Sequence, residues 1–341
     1  MKLQTISKML ESFSTLSTSS STKSQISLSR IQEDITKILE KEGRLPVDAV
    51  KVLPLTALQE SMVAEMIASE YQHYYGVEIF EVMEGTDFLK LLASWKAVIN
   101  AHDLLRTSFI EIEDPQVSSC FAQVVHSLDG QRAIPFVDLE ELSMDEFIQS
   151  TIYNSTRTRS EFEIYGIRKR DKCYIVLAMA HALYDGWSLD LLHSDVERSY
   201  YGEDVIRPSY EPVLESILNE AGDKSRQFWS ATLKDFRPRK FPCGKYPGGK
   251  QSILHRTEAS FDAPSENIRK FCRDHGITVQ ALSVTTWTLA LASLVESLDV
   301  GFGLVLSGRS HTDADEVMFP TMNTVIFRSI LHGTRLEMLK Y

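Results

Sequence analysis

His181 and Asp185 stand four residues apart, with Gly186 directly after, and they are the residues of this chain whose types and spacing can do chemistry. An imidazole exchanges protons near neutrality, so it serves as a general base, a general acid or a metal ligand. The apolar run Ile175, Val176, Leu177, Ala178, Met179, Ala180 leads straight into His181. A His that leaves the end of a buried strand is held by the sheet and still opens onto a cleft. Gly186 permits a tight turn that folds Asp185 back on the imidazole. The spacing alone admits a hydrogen-bonded structural His, a catalytic His beside an acid, or two ligands of a metal ion. No third ligand lies close in sequence, so no metal is expected.

The elements that position this segment are legible from periodicity. Residues 161–168 and 172–180 predict a hairpin around Arg170-Asp171, and a helix is expected over 188–200. Upstream, helices are expected over 31–41, 57–69 and 87–101, a strand over 73–82, and a strand pair over 105–112 and 119–127. Ser143-x-x-Glu146 is a capping-box pattern opening a further helix. Residues 202–250 carry Pro208, Pro212, Pro238, Pro242 and Pro247, with one helix over 226–233, and mark a lobe boundary. Beyond it, a strand over 254–261, a helix opening near Pro264, a long buried helix over 278–297 and strands over 300–306 and 323–330 are expected. The fold class is therefore α/β, in two lobes.

Composition excludes several functions. The net charge of −11 disfavours nucleic acid or an anionic membrane as the main partner. The four cysteines are far apart with no C-x-x-C spacing, which argues against a disulfide framework or zinc site and for a reducing, cytoplasmic location. No apolar run is long enough for a membrane span. Residues 1–30 hold three Lys, one Arg and a single acid, Glu11, in a Ser/Thr-rich stretch that reads either as a transit peptide or as a flexible linker.

Four ordered segments carry a family resemblance. His181-Ala182-Leu183-Tyr184-Asp185-Gly186-Trp187-Ser188-Leu189 resembles the H-H-x-x-x-D-G motif of condensation domains of non-ribosomal peptide synthetases, in wording close to the fungal synthetases of hydroxamate siderophores. Leu53-Pro54-Leu55-Thr56-Ala57-Leu58-Gln59-Glu60 resembles their opening motif, and Ala101-His102-Asp103-Leu104-Leu105-Arg106-Thr107 their R-H-E-x-L-R-T motif. Ser307-Gly308-Arg309, then Pro320-x-x-Asn323-Thr324 and Arg328, resemble a later motif. The chain departs from the pattern where Ala180 replaces the first His and Ala101 the leading Arg.

The resemblance implies two chloramphenicol-acetyltransferase-like lobes in a V-shaped pseudo-dimer, over 31–205 and 251–341, joined by 206–250, with the second lobe incomplete. It implies a carrier-domain end over 1–13 and a linker over 14–30. The implied activity joins carrier-tethered thioester substrates through an amide or ester bond. His181 would be the catalytic residue, with Asp185, Gly186 and Arg106 supporting it and Arg106 pairing Asp185. Trp187, Ser188, Asn323 and Thr324 would line the substrate cleft. The domain would bind no cofactor, the phosphopantetheine arms coming from the carriers. Partners would be upstream and downstream peptidyl carrier domains and an adenylation domain. A non-catalytic docking domain and a free-standing acyl-CoA acyltransferase of the same fold are the alternatives; the D-F-G-W-G segment of the latter is absent from the sequence.

Overall fold

A computed structural model describes residues 27–114, 119–128, 134–140, 142–153, 160–220, 222–241, 258–260, 264–310 and 312–332. The expected carrier-domain end over 1–13, most of the linker, and the strand expected over 254–261, save residues 258–260, lie outside them. Within the described residues the chain forms two compact units. The larger runs to Gly222 and takes in Val305–Thr324; the smaller holds Asp223–Leu304 and the chain from Val325. Val305–Thr324, which sequence order assigns to the second lobe, clusters with the first.

The larger unit opens with α1 (Leu28–Lys41), so the helix begins three residues before the expected start and inside the expected linker. Then come β1 (Ala49–Pro54), α2 (Ala57–Ala68), β2 (Tyr75–Glu81), α3 (Phe88–Ala101), β3 (Thr107–Glu111), β4 (Phe121–His126) and β5 (Phe136–Asp138). A short α4 (Met144–Phe147), β6 (Phe162–Lys169), β7 (Lys172–Ala180), α5 (Gly186–Tyr200) and α6 (Glu211–Glu220) complete it. One antiparallel sheet has the order β1-β4-β3; the other runs β2-β7-β6-β5, with β5 parallel to β6. β7 lies between two neighbours, and its last six residues are all buried, which is why this segment reads as a continuous apolar run rather than an alternating one.

Side chains start the helices where the sequence calls for caps. Thr56 and Gln59 form a reciprocal capping box at α2, and Ser143 and Glu146 another at α4. Asp87 accepts the Lys90 amide at the start of α3. Each supplies a partner to a helix-start N–H that the helix itself cannot satisfy, worth about 1 kcal/mol. α3 packs against α5, and the Asp87 amide donates to the Tyr200 hydroxyl between them. The apolar faces meet in one large core that includes Trp95, Val98, Leu177, Leu192 and Phe319.

The smaller unit contains α7 (Asp223–Thr232), α8 (Ser265–His275), α9 (Val279–Val295) and most of the paired strands β8 (Asp299–Leu306) and β9 (Asn323–Ile330), whose residues 305–306 and 323–324 belong to the larger unit. Gly276 ends α8 at φ 65, in the left-handed conformation that favours glycine. Arg328 reaches Asp299 at 2.6 Å and the Thr232 and Lys234 carbonyls at 2.8 Å each. α9 departs from expectation: Val284, Thr288, Leu291 and Ala292 are buried, but Val279, Trp287 and Leu294 are about half exposed. Among the described residues, no single helix is long and apolar enough to cross a membrane.

Candidate active site

β7 carries its apolar run to Ala180, which is fully buried, and there the chain leaves the sheet in a single 3-10 turn, His181–Leu183. The His181 amide still donates to the Tyr74 carbonyl at 2.8 Å, so the residue's backbone is held by the end of β2 while its side chain is half-buried. The imidazole Nδ1 lies 2.9 Å from the Tyr184 carbonyl oxygen. A carbonyl only accepts, so Nδ1 carries the proton of the neutral ring and Nε2 keeps a lone pair. The Tyr184 ring stacks on the imidazole, centroids 4.7 Å apart and 8° from parallel, and Tyr74 meets it edge-on at 6.4 Å. Tyr74 also walls a cavity of about 560 Å³ lined by Ser61, Glu65 and His73, where the His73 Nδ1 and Glu65 carboxylate are 2.7 Å apart.

Asp185 is the N-cap of α5 and nearly fully buried. Its Oδ1 accepts from the Ser188 amide at 2.8 Å and from Arg309 Nη2 at 2.7 Å. Its Oδ2 accepts from the amides of Thr321 and Met322 at 2.9 and 3.1 Å. A buried carboxylate is tolerated when its lone pairs meet donors and a cation. The Arg309 side chain is itself buried; its Nη1 donates to the carbonyls of Ala314 (2.5 Å) and Val317 (3.0 Å) and its Nη2 also to that of Phe319 (2.8 Å), while its Nε has no hydrogen-bond partner. Gly308 makes this turn at φ 66, with the Thr321 carbonyl so close that an added Cβ would lie 1.8 Å from its oxygen. The Ser307-Gly308-Arg309 and Pro320-to-Asn323 segments thus act together as a cradle for Asp185.

Arg106 is not the partner of Asp185. It lies at the end of the 3-10 turn before β3, where it pairs with Asp103 at 2.6 Å and donates to the His126 carbonyl. Lys51 extends that cluster, 2.9 Å from Asp103 and 2.7 Å from Glu211. The partner three residues away is reached without long-range folding, so Arg106 braces the β1-β4-β3 sheet.

Ser188 does not line a cleft: it is fully buried, and its hydroxyl accepts the Asp185 amide at 2.8 Å in the capping box of α5. Trp187 is exposed over about half its surface, and its indole N–H donates to the Asp315 carbonyl at 2.9 Å. Gly186 is the first residue of α5, with open space where a Cβ would stand. Asn323 and Thr324 are exposed at the start of β9, directly after the two residues that bind Asp185.

Three site residues escaped the sequence reading. Gln59 places its Nε2 2.8 Å from the Ala182 carbonyl while its Oε1 accepts the Thr56 amide, tying α2 to the turn after His181. The other two are Tyr184 and Arg309. All three fall inside the quoted motifs, so the motifs marked them without giving their roles. A second His–Asp pair, His102 with Asp195 at 2.9 Å, is buried and closed off by Arg207, which grips Asp195 at 2.8–3.1 Å. Burial alone would raise the Asp195 pKa, but the hydrogen bonds from His102 and Arg207 outweigh it and hold the carboxyl below the usual range. Among the described residues no group of three His, Cys, Asp or Glu could hold a metal ion.

Comparison with known proteins fits this geometry. Residues 49–335 match the family model described as Condensation domain. The sequence is 38% identical to the nonribosomal peptide synthetase sidC of Arthroderma benhamiae over 94% of this chain and 6% of that protein. It is 28% identical to the hydroxamate-type ferrichrome siderophore peptide synthetase of Schizosaccharomyces pombe over 84% of this chain and 6% of that protein. The chain therefore spans only 6% of the length of these curated relatives. In structure it resembles the condensation domain from the monacolin K polyketide synthase MokA, with a TM-score of 0.66 and 16% identity over 86% of this chain and 71% of that one.

Proposed function

The chain belongs to the condensation-domain family, and from that premise we propose that it joins two thioester-borne substrates, with His181 at the reacting atoms. The observation that carries this reading is the imidazole geometry: Nδ1 is committed to the Tyr184 carbonyl at 2.9 Å, and Nε2 is left as the base. Ala180, which takes the place of the family's first His, is fully buried and paired within the sheet, so a side chain there would face packing rather than substrate. The catalytic reading therefore does not need that first His.

In the proposed reaction the amine of one substrate attacks the thioester carbonyl of the other. The C–N bond forms, and the proton released from nitrogen passes to Nε2 of His181. The tetrahedral intermediate collapses with cleavage of the C–S bond, and the proton leaves with the departing thiol. An oxygen nucleophile would give an ester by the same steps. Asp185 moves no proton in this scheme: four donors saturate it, and it fixes the start of α5 and the turn that presents the imidazole. Asn323 and Thr324, exposed beside the Asp185 cradle, are assigned to the substrate cleft.

The substrates would arrive on phosphopantetheine arms of upstream and downstream peptidyl carrier domains, with an adenylation domain loading them and no further cofactor. The 14–30 segment would be the linker from the preceding carrier. The likeness to the hydroxamate-type ferrichrome siderophore peptide synthetase of Schizosaccharomyces pombe supports siderophore assembly in a fungal synthetase, and the expected location is the cytoplasm.

Single-turnover transfer between loaded carriers tests the proposal. Product from the unaltered chain, with a loss of about 10²–10⁴-fold in His181→Ala, is the expected outcome. Equal rates in both would remove His181 from the chemistry. Carrier binding without product from any variant would favour a docking role instead.

A further inference from the structure

We infer that the Tyr184 side chain is a positioning residue for His181, and that the missing side chain at Gly76 is what lets it act. The inference rests on His181 being the reactive group. Its basis is a fit among three residues on neighbouring elements. The phenol ring lies on the imidazole face at 4.7 Å and 8°. Gly76 sits on β2 opposite Met179 of β7, and a Cβ built there would stand 2.9 Å from the Tyr184 hydroxyl oxygen.

Two restraints act on different motions of the imidazole. The hydrogen bond from Nδ1 to the Tyr184 carbonyl sets which edge of the ring faces the backbone. The stacked phenol sets the plane of the ring. A Tyr side chain has two rotatable torsions and a rigid ring, so its hydroxyl cannot yield to a new Cβ unless the whole ring tilts. Tilting the phenol frees the imidazole to turn away from the carbonyl, and the unique Nε2 lone pair is lost to a mixture of tautomers. Burial, with a lesser push from Glu78, raises the phenol pKa above its ordinary value, so Tyr184 stays neutral and acts through position rather than proton transfer.

The test combines spectroscopy of the ring with kinetics. In two-bond ¹⁵N–¹H correlation spectra taken at about pH 8, the neutral form of His181 in the unaltered chain should show the Nδ1–H tautomer alone. Tyr184→Leu should show averaged tautomers and lose about ten- to a hundredfold in kcat for single-turnover transfer, with KM within about twofold. Tyr184→Phe should restore both readouts. Gly76→Ala should resemble Tyr184→Leu, yet add no further loss when combined with Tyr184→Phe, because removing the hydroxyl makes room for the methyl group.

A Tyr184→Leu chain that keeps the single tautomer overturns the inference. So does a Gly76→Ala effect of equal size in the Tyr184 and Tyr184→Phe backgrounds, a comparison that still decides if Tyr184→Leu fails to fold. The spectra report whether or not transfer is seen, so failure of the proposed reaction and failure of this inference are separate results.

Discussion

Arg309 meets Asp185 across 124 residues of sequence, Nη2 to Oδ1 at 2.7 Å, with both side chains almost fully removed from solvent. The pair joins the turn after His181 to the chain that arrives after β8, and it does so entirely within the larger unit. Its partners on each side are backbone groups, so the ion pair also fixes two stretches of main chain.

Removing Arg309 leaves the Asp185 carboxylate buried with amide donors and no cation. Arg309→Ala is expected to cost about 3–5 kcal/mol in chemical denaturation, as buried pairs do when one member is deleted. Arg106→Ala leaves Asp185 untouched, so its effect should add to that of Arg309→Ala within about 0.5 kcal/mol. Strong coupling between Arg106 and Asp185 in a double-mutant cycle would contradict the assignment.

Gly308→Ala should be more damaging than its size suggests. The residue has φ 66, and its Cβ would fall 1.8 Å from the carbonyl oxygen of Thr321, a rigid backbone atom of a residue whose amide donates to Asp185. A loss of at least about 1–3 kcal/mol is expected from the backbone strain alone, read as a lower melting temperature. Gly186→Ala, at a position with open space, should leave the melting temperature near that of the unaltered chain.

His193 should make stability depend on pH. Burial holds its pKa below 6.5, against opposing pulls from Glu78 and Asp190, and its Nε2 is buried without a hydrogen-bond partner. Phe80 and Trp95 pack against the ring. The neutral ring suits the folded state, so the contribution is complete above 6.5. As pH falls below that, the unfolded chain takes up a proton the folded chain resists, and stability declines until the lowered folded pKa is reached. Denaturation midpoints measured between about pH 5 and pH 8 should show a shallower acid decline in His193→Gln. An unchanged slope would mean other groups set it.

Most of the elements that hold the site were legible because they rest on local rules. The β6–β7 hairpin, the β3–β4 pair and the capping boxes at α2 and α4 follow from periodicity and from side chains three residues apart. Local reading failed where a local signal had two meanings. Pro208 and Pro212 signal a break in local pattern, but Pro212 is the second residue of α6, where its missing N–H is no loss to the helix. Three-residue β5 is too short to show a period.

Residue order alone marks out the reactive segment: an apolar strand that must be buried, ending in His181, with Asp185 and Gly186 after it. Which residues serve that segment depends on contacts that form on folding. Arg309 rather than Arg106 neutralises Asp185, Ser188 closes a helix instead of facing substrate, and Gly76 makes room for the ring that lies on His181. Burial and helix capping are imposed by neighbours a few residues away and leave a pattern along the chain. The choice among cations, and the fit of one ring on another, depend on distances between segments that only folding brings together.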